Sequence, residues 1–117
     1  DMVGHTGDWA AALEAARAVD DALETLERRV LEADGAMLVT ADHGNIETMT
    51  AGEGVHTAHT AVPVPCMLVA RQPRAFAAEE GQKPAITRVA ATVLDLMGLP
   101  VPEAYEPSLL APVAARV

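Results

Sequence analysis

The stretch Ala36-Met37-Leu38-Val39-Thr40-Ala41-Asp42-His43-Gly44-Asn45 changes character half-way along. Residues 36–40 form a short, continuous apolar run, which reads as a buried strand of a parallel sheet. The run leads straight into a carboxylate and an imidazole, and Gly44 permits a turn that exposes the pair. In open α/β sheets, ligands bind beyond the carboxyl ends of the strands. One decapeptide thus predicts an α/β fold and puts Asp42 and His43 where such folds do chemistry.

Upstream, residues 8–33 carry the strongest helical signal. Trp9, Leu13, Ala16, Leu23, Leu26 and Val30 recur at helical spacing as one apolar stripe, with Glu14, Arg17, Asp21, Glu24, Glu27 and Arg28 on the other side. Thr6 or Asp8 is placed to cap the start, and Gly35 to end the helix after Asp34. Arg28-Arg29 suits the helix C-terminal dipole and reads as a solvated face. Downstream, residues 50–60 are polar and contain glycine. A Pro-flanked strand is expected over 64–70, a surface loop over 71–84, and a second helix over 85–97 with Gly98 as its stop. The tail, 99–117, carries four prolines and should be mostly irregular. Short apolar runs alternating with amphipathic stretches predict a mainly parallel sheet flanked by helices.

The 117 residues suffice for one compact unit, and half of them are hydrophobic. Only Trp9, Phe76 and Tyr105 are aromatic, so the core should consist of small Ala, Val and Leu layers. A formal net charge of −9 argues against nucleic acid and against anionic membrane surfaces. It also looks wrong for phosphate chemistry, unless bound cations invert the local field. No window is long and apolar enough for a membrane span. The single cysteine, Cys66, cannot form an intrachain disulfide, which fits a cytoplasmic setting; within its apolar run it reads as a small hydrophobe. The chain opens on Asp1 without an initiator methionine, so it is expected to be part of something longer.

All four histidines fall in three short polar segments, and two of these segments also hold an aspartate. Asp1-x-x-x-His5 would share a face on helical geometry. Asp42 and His43, adjacent at a strand end, splay to opposite sides and suit a bridging or two-metal arrangement. His59 adds a nitrogen on a loop. Of the pair His56 and His59, one is expected to support the site from behind or to be merely polar. Mixed nitrogen and oxygen ligation suits Mn²⁺ or Zn²⁺, and the lack of thiolates argues against a structural zinc site. Two cations a few ångströms apart can clamp both oxygens of a phosphoryl transfer. Each fragment of this pattern is weakly specific alone; together, in this order, they predict a metal centre.

Three segments carry a resemblance: Asp1-Met2-Val3-Gly4-His5-Thr6-Gly7, Thr40-Ala41-Asp42-His43-Gly44-Asn45, and His56-Thr57-Ala58-His59-Thr60 with Pro63-Val64-Pro65. Together they resemble the cofactor-independent phosphoglycerate mutases of the alkaline phosphatase superfamily, from Asp1 to about Leu110. The resemblance implies an alkaline phosphatase-like α/β domain, present in part, with two Mn²⁺ ions. Asp1, His5 and His59 would hold one ion; Asp42 and His43 would help hold the other, with His56 as an outer support. It also implies that the second ion's remaining ligands, an aspartate and the nucleophilic serine, lie upstream, as does the inserted domain that grips the glycerate. The implied reaction interconverts 3-phosphoglycerate and 2-phosphoglycerate through a phosphoserine, in glycolysis and in a monomeric parent. The isolated chain would be inactive. Ser108, the only serine, sits in the Pro-rich tail and is not read as the nucleophile.

The chain departs from the family pattern at four places. Arg88 stands where the family often has Asp, and Ala91 where it often has Pro. Glu106-Pro107-Ser108 replaces a typical Gly-Lys-Ser. None of these is an expected ligand. The alternatives are phosphopentomutase, which shares the Asp/His pattern without the first and third motifs, another phosphatase or sulfatase of the superfamily, or a metal-binding module without turnover.

Overall fold

The structure is a computed structural model and describes residues 1–51, 54–77 and 85–112. The expectations for 78–84, for 113–117 and for residues 52 and 53 lie outside the described residues.

Helix α1 spans Trp9–Glu32. Asp8 is its cap, the carboxylate accepting from the Ala11 N–H at 3.0 Å. Thr6 braces the preceding turn instead, donating to the Val3 carbonyl at 2.7 Å and accepting from the Asp8 N–H at 3.1 Å. At the other end Asp34, not Gly35, takes the left-handed conformation, with φ 53°. The Asp34 N–H reaches the Leu31 carbonyl at 3.2 Å and the Gly35 N–H reaches Val30 at 2.9 Å. This pair of backward bonds satisfies the last carbonyls of the helix.

Strand β1 spans Ala36–Thr40 and, after the short strands β2 (Thr50–Ala51) and β3 (Gly54–Val55), strand β4 spans Cys66–Ala70. The α/β character expected from the alternation of helices and strands is present, but the direction of pairing is not the expected one. β1 and β4 run antiparallel, in a register from Ala36 opposite Ala70 to Thr40 opposite Cys66. Parallel neighbours need a crossover, usually a helix, that carries the chain to the far end of the sheet. The described residues between 41 and 65 form no helix beyond a 3₁₀ turn, Ile46–Thr48, and apart from that only the paired strands β2 and β3, and the chain returns to the end it left. An apolar run reports burial, and burial does not encode direction. Nor is β1 deeply buried: Ala36 is exposed and residues 37–40 are half-buried.

The apolar stripe of α1 is only partly covered. Leu23 and Val30 are half-buried, whereas Trp9 and Leu26 are 62% and 52% exposed. A 24-residue helix is about 36 Å long, while five-residue strands run about 17 Å, so the helix overhangs the ribbon. The radius of gyration, 17.2 Å, exceeds the roughly 13 Å of a compact domain of this length. The expected single compact unit is therefore an elongated one. No helix among the described residues is long and apolar enough to cross a membrane.

A 3₁₀ turn, Ile86–Arg88, leads into helix α2, Val89–Leu96, which ends at Gly98 with φ 68° and the same backward bonds as α1. The described part of the tail, 99–112, has no helix or strand, as its prolines predict, yet it is firmly tied. Leu109 and Ala111 exchange backbone bonds with 75–77. The Leu109 N–H donates at 2.9 Å to the hydroxyl of Thr92, which is fully buried beside Ala91 on α2. Arg74 donates at 2.6 Å to the Asp95 carboxylate and at 2.6 Å to the Ala111 carbonyl.

The Arg74 guanidinium, with help from the Ser108 hydroxyl, holds the Asp95 carboxyl below its usual range against the opposing effect of burial. A depressed carboxyl stabilises the fold above its unfolded value of 3.8, and the contribution is lost as pH falls through the folded value. Asp95→Asn is therefore expected to lower stability by roughly 1–2 kcal/mol at neutral pH. Urea titrations across pH should show the gap between wild type and variant close below about pH 4. A gap that does not narrow at all as the pH is taken below the unfolded value would remove the ion pair as its cause.

Candidate metal centre

Three chain segments meet beyond the Thr40 end of β1. The first is the N-terminal segment, whose 3₁₀ turn Gly4–Thr6 carries His5. The second is the turn after β1, carrying Asp42 and His43. The third is the return run through His59 and Thr60, joined to the second by a two-bond bridge between Gly44 and Thr60, with N···O distances of 3.3 and 2.9 Å.

Asp1 is the focus. Its Oδ1 lies 3.1 Å from His5 Nε2 and 3.2 Å from His59 Nε2. One ligand atom from each of the three residues falls within 4.8 Å of the others. Two donors each about 2.1 Å from a shared ion stand about 3.0–3.4 Å apart, so the spacing fits a divalent cation. The tautomer of His5 strengthens the point. Its Nδ1 is 2.8 Å from the Thr57 carbonyl, which can only accept, so Nδ1 must carry the hydrogen. In the neutral ring Nε2 then presents a lone pair to the Asp1 carboxylate, acceptor facing acceptor. A cation between them, metal ion or proton, resolves the clash. A histidine anchored through one nitrogen to a backbone carbonyl is also how metal-binding imidazoles are oriented.

His43 repeats the arrangement. Its Nδ1 is 3.2 Å from the Gly44 carbonyl and its Nε2 is 3.6 Å from Asp42 Oδ2. The His43 ring stacks on His59, with centroids 3.5 Å apart and planes 13° apart, so the two expected ligand groups are in contact. Asp42 is highly exposed, its side chain 78% accessible. His56 is not drawn into the cluster. Its backbone N–H donates to the Met49 carbonyl at 3.0 Å and its buried Nδ1 has no hydrogen-bond partner among the described residues.

Sequence reasoning missed a second group of residues under the histidines. The Glu47 carboxylate accepts from the Asn45 N–H at 2.7 Å and, through its other oxygen, from the Thr60 hydroxyl. The Thr60 hydroxyl, followed by local backbone donors including the Asn45 N–H, holds the Glu47 carboxyl below the ordinary range. The proximity of Asn45 and Glu47 was legible as a local side chain–backbone bond; the Thr60 partner, thirteen residues away, carried no signal. Gly4 and Gly44 are required by close approach. A Cβ on Gly4 would collide with the Asn45 side chain, and one on Gly44 with Thr60 and Glu47.

Beside the cluster runs a groove of about 750 Å³, lined by Asp1, Gly4, Ala16, His43 and Pro63 among others. A second hollow of about 640 Å³ lies at the far end of the strands, among Asp34, Arg71, Arg74 and Asp95. It contains no histidine, and its cations are engaged with its own carboxylates. The donor chemistry marks the first groove.

A family model described as the Metalloenzyme superfamily matches residues 1–101. The chain belongs to the Metalloenzyme superfamily. Within this superfamily it is similar to 2,3-bisphosphoglycerate-independent phosphoglycerate mutases, as its three motifs predict. The chain is 50% identical to the enzyme of Cereibacter sphaeroides over 105 residues and 50% identical to that of Ruegeria pomeroyi over 104, covering 88% and 87% of this chain. In each case the match spans 20% of the relative's length. A crystal structure of Leishmania mexicana phosphoglycerate mutase, determined at low cobalt concentration, superposes with a TM-score of 0.83 at 37% identity. It covers 95% of this chain and 23% of that one. The superposed 95% of this chain leaves out too little to exclude the antiparallel β1–β4 pair or the motif segments as a whole.

Proposed function

We propose that this chain is the C-terminal part of the metal-binding domain of a phosphoglycerate mutase, which interconverts 3-phosphoglycerate and 2-phosphoglycerate. The observation that carries the reading is the convergence of Asp1, His5 and His59, with the His5 lone pair turned toward a carboxylate by the Thr57 carbonyl. Asp1, His5 and His59 hold one divalent ion, and Asp42 and His43 contribute to a second. We take manganese as the ion, as the resemblance carried by the three motifs implies, and a site of mixed nitrogen and oxygen donors is also compatible with the cobalt of the Leishmania mexicana crystal structure. When bound, two such ions neutralise phosphoryl charge and align the attacking and leaving oxygens.

The residues of this chain act by holding and orienting. Asp1 and Asp42 supply the anionic charge that draws cations to an otherwise acidic chain, and the carbonyls of Thr57 and Gly44 fix the histidine tautomers. The serine that takes the phosphoryl group, breaking the bond to one glycerate hydroxyl and later returning the group to its neighbour, comes from outside this chain. Ser108 does not fill that role. Its hydroxyl is engaged by the Leu110 N–H and by Asp95. The reading extends to a glycolytic role, a cytoplasmic location and a monomeric parent.

The test is to mix the purified 117-residue chain with Mn²⁺ and 3-phosphoglycerate and follow 2-phosphoglycerate through an enolase-coupled assay. The expected result is weak Mn²⁺ binding and no product, because a nucleophile must be held beside its activating groups. Turnover that survives repurification and disappears in His43→Ala would overturn the assignment of the serine to another part of the protein.

A further inference from the structure

We infer that Glu47 is a positioning residue that sets the contact between His43 and His59. This inference rests on the metal-centre reading only for its functional meaning; its geometry stands alone.

The two rings belong to segments that share no helix and no long strand. His43 is on the turn after β1 and His59 on the return run, and yet their planes lie 3.5 Å apart at centroid and 13° from parallel. The Gly44–Thr60 bridge brings the two backbones alongside, but two backbone bonds of 3.3 and 2.9 Å form a hinge rather than a clamp. Side-chain direction needs a third tie that lies off the bridge axis. Glu47 supplies it. One carboxylate oxygen is fixed to the Asn45 N–H, two residues beyond His43, and the other to the Thr60 hydroxyl, one residue beyond His59. Both bonds involve an ionised acceptor, the stronger kind of hydrogen bond. The packing leaves no slack. A Cβ on Gly44 would collide with both Thr60 and the Glu47 carboxylate, so the carboxylate sits directly against the bridge. Glu47 has no contact with Asp1, His5 or His59 among the described bonds, and so it acts through Thr60 and Asn45 rather than as a ligand.

The tie is one of geometry, which separates two variants. In Glu47→Gln the amide oxygen still accepts from Asn45, and the amide N–H₂ donates to the Thr60 hydroxyl oxygen, so both links survive without the charge. In Glu47→Ala both are lost. Thr60→Val removes one link while keeping the side chain's shape.

The experiment has two readouts on the same proteins. The first, in the metal-free chain, is the ring-current shift of the His43 and His59 side-chain protons, which a stacked pair must show. It is expected to collapse toward unstacked values in Glu47→Ala, to fall part-way in Thr60→Val, and to persist in Glu47→Gln. Far-UV circular dichroism, dominated by α1, should stay unchanged in all three. The second is Mn²⁺ affinity, read from the electron paramagnetic resonance of the free ion. It should fall about 10–100-fold in Glu47→Ala, as for other groups that orient metal ligands, and much less in Glu47→Gln. Undiminished ring-current shifts in both Glu47→Ala and Thr60→Val would overturn the inference. Loss of the shifts in Glu47→Gln equal to that in Glu47→Ala would overturn it too, because charge and not the tie would then be responsible. Failure of the wild-type chain to bind Mn²⁺ would count against the metal-centre reading, while the ring-current comparison would still decide the role of Glu47.

Discussion

Replacing His59 with alanine is expected to reduce mutase turnover by about three powers of ten or more in the longer polypeptide proposed above, while leaving the fold intact. The magnitude follows from the position of the ring. It offers Nε2 to the focus at Asp1, 3.2 Å away, and its face to His43. Removing it takes a nitrogen from one proposed ion site and the support from a ligand of the other. A metal ion is worth several kcal/mol of charge stabilisation in a phosphoryl transfer, and each 1.36 kcal/mol is tenfold in rate. The structural cost is small by contrast. The His59 side chain is 51% accessible, and substitutions at such positions usually change stability by no more than about 0.5 kcal/mol. The check is a paired measurement: enolase-coupled turnover in Mn²⁺ buffer and a urea midpoint. Wild-type turnover would remove His59 from the site. A collapsed midpoint would make its role structural, and His56, whose buried Nδ1 has no hydrogen-bond partner among the described residues, would be the next nitrogen to test.

The parts of this molecule that were legible in the sequence are those whose information is local. Asp8 announces α1 because a cap is read three residues ahead, and Gly98 ends α2 because a left-handed residue follows the last turn. The cluster of Asp1, His5 and His59 was legible through its motifs, since each residue sits in a polar segment that neither a helix stripe nor a strand core could absorb. What was not legible depends on pairs distant in sequence. The apolar run at 36–40 looks the same whether its neighbour runs parallel or antiparallel, and the partner at 66–70 is recognisable only as a strand. Asp34 took the left-handed position that Gly35 seemed made for, because the last carbonyls fix which residue must turn. The Thr57 carbonyl, which sets the His5 tautomer from 52 residues away, leaves no trace in composition, since any residue would supply it.

Arg88 and the Glu106-Pro107-Ser108 segment, which the sequence reading set apart, meet in space, and this yields the second large expected effect. Arg88, on the turn before α2, is 5% exposed, and its guanidinium donates from Nε to the Pro107 carbonyl at 2.8 Å and from Nη2 to the Ser108 carbonyl at 2.8 Å. Next to it, the Thr87 hydroxyl donates to Glu106 at 2.6 Å. Thr87, Arg88 and residues 106–108 of the tail are therefore one joint, and the buried Thr92 ties it from the helix side, its hydroxyl donating to the Arg88 carbonyl and accepting from the Leu109 N–H. Arg88→Ala is expected to destabilise the chain by about 3 kcal/mol. The loss combines two hydrogen bonds from a charged, buried donor, each worth about 1.5–3 kcal/mol less what water returns to the exposed Pro107 and half-buried Ser108, with a void where the arginine stem packed. Arg88→Lys should recover less than half of this, because a single ammonium cannot match a planar fork that spans two successive carbonyls. Urea unfolding of the three proteins measures the stabilities, and hydrogen exchange at Leu109 and Ala111 reports whether the tail has left its seat. Those two amides bond to Thr92 and Ala75, so they should lose protection in Arg88→Ala before the β1–β4 amides do. If Arg88→Ala stays within about 0.5 kcal/mol of wild type, the joint is held by its other bonds, through Thr92, Thr87, Arg74 and the backbone of 75–77, and the arginine is not its fastener.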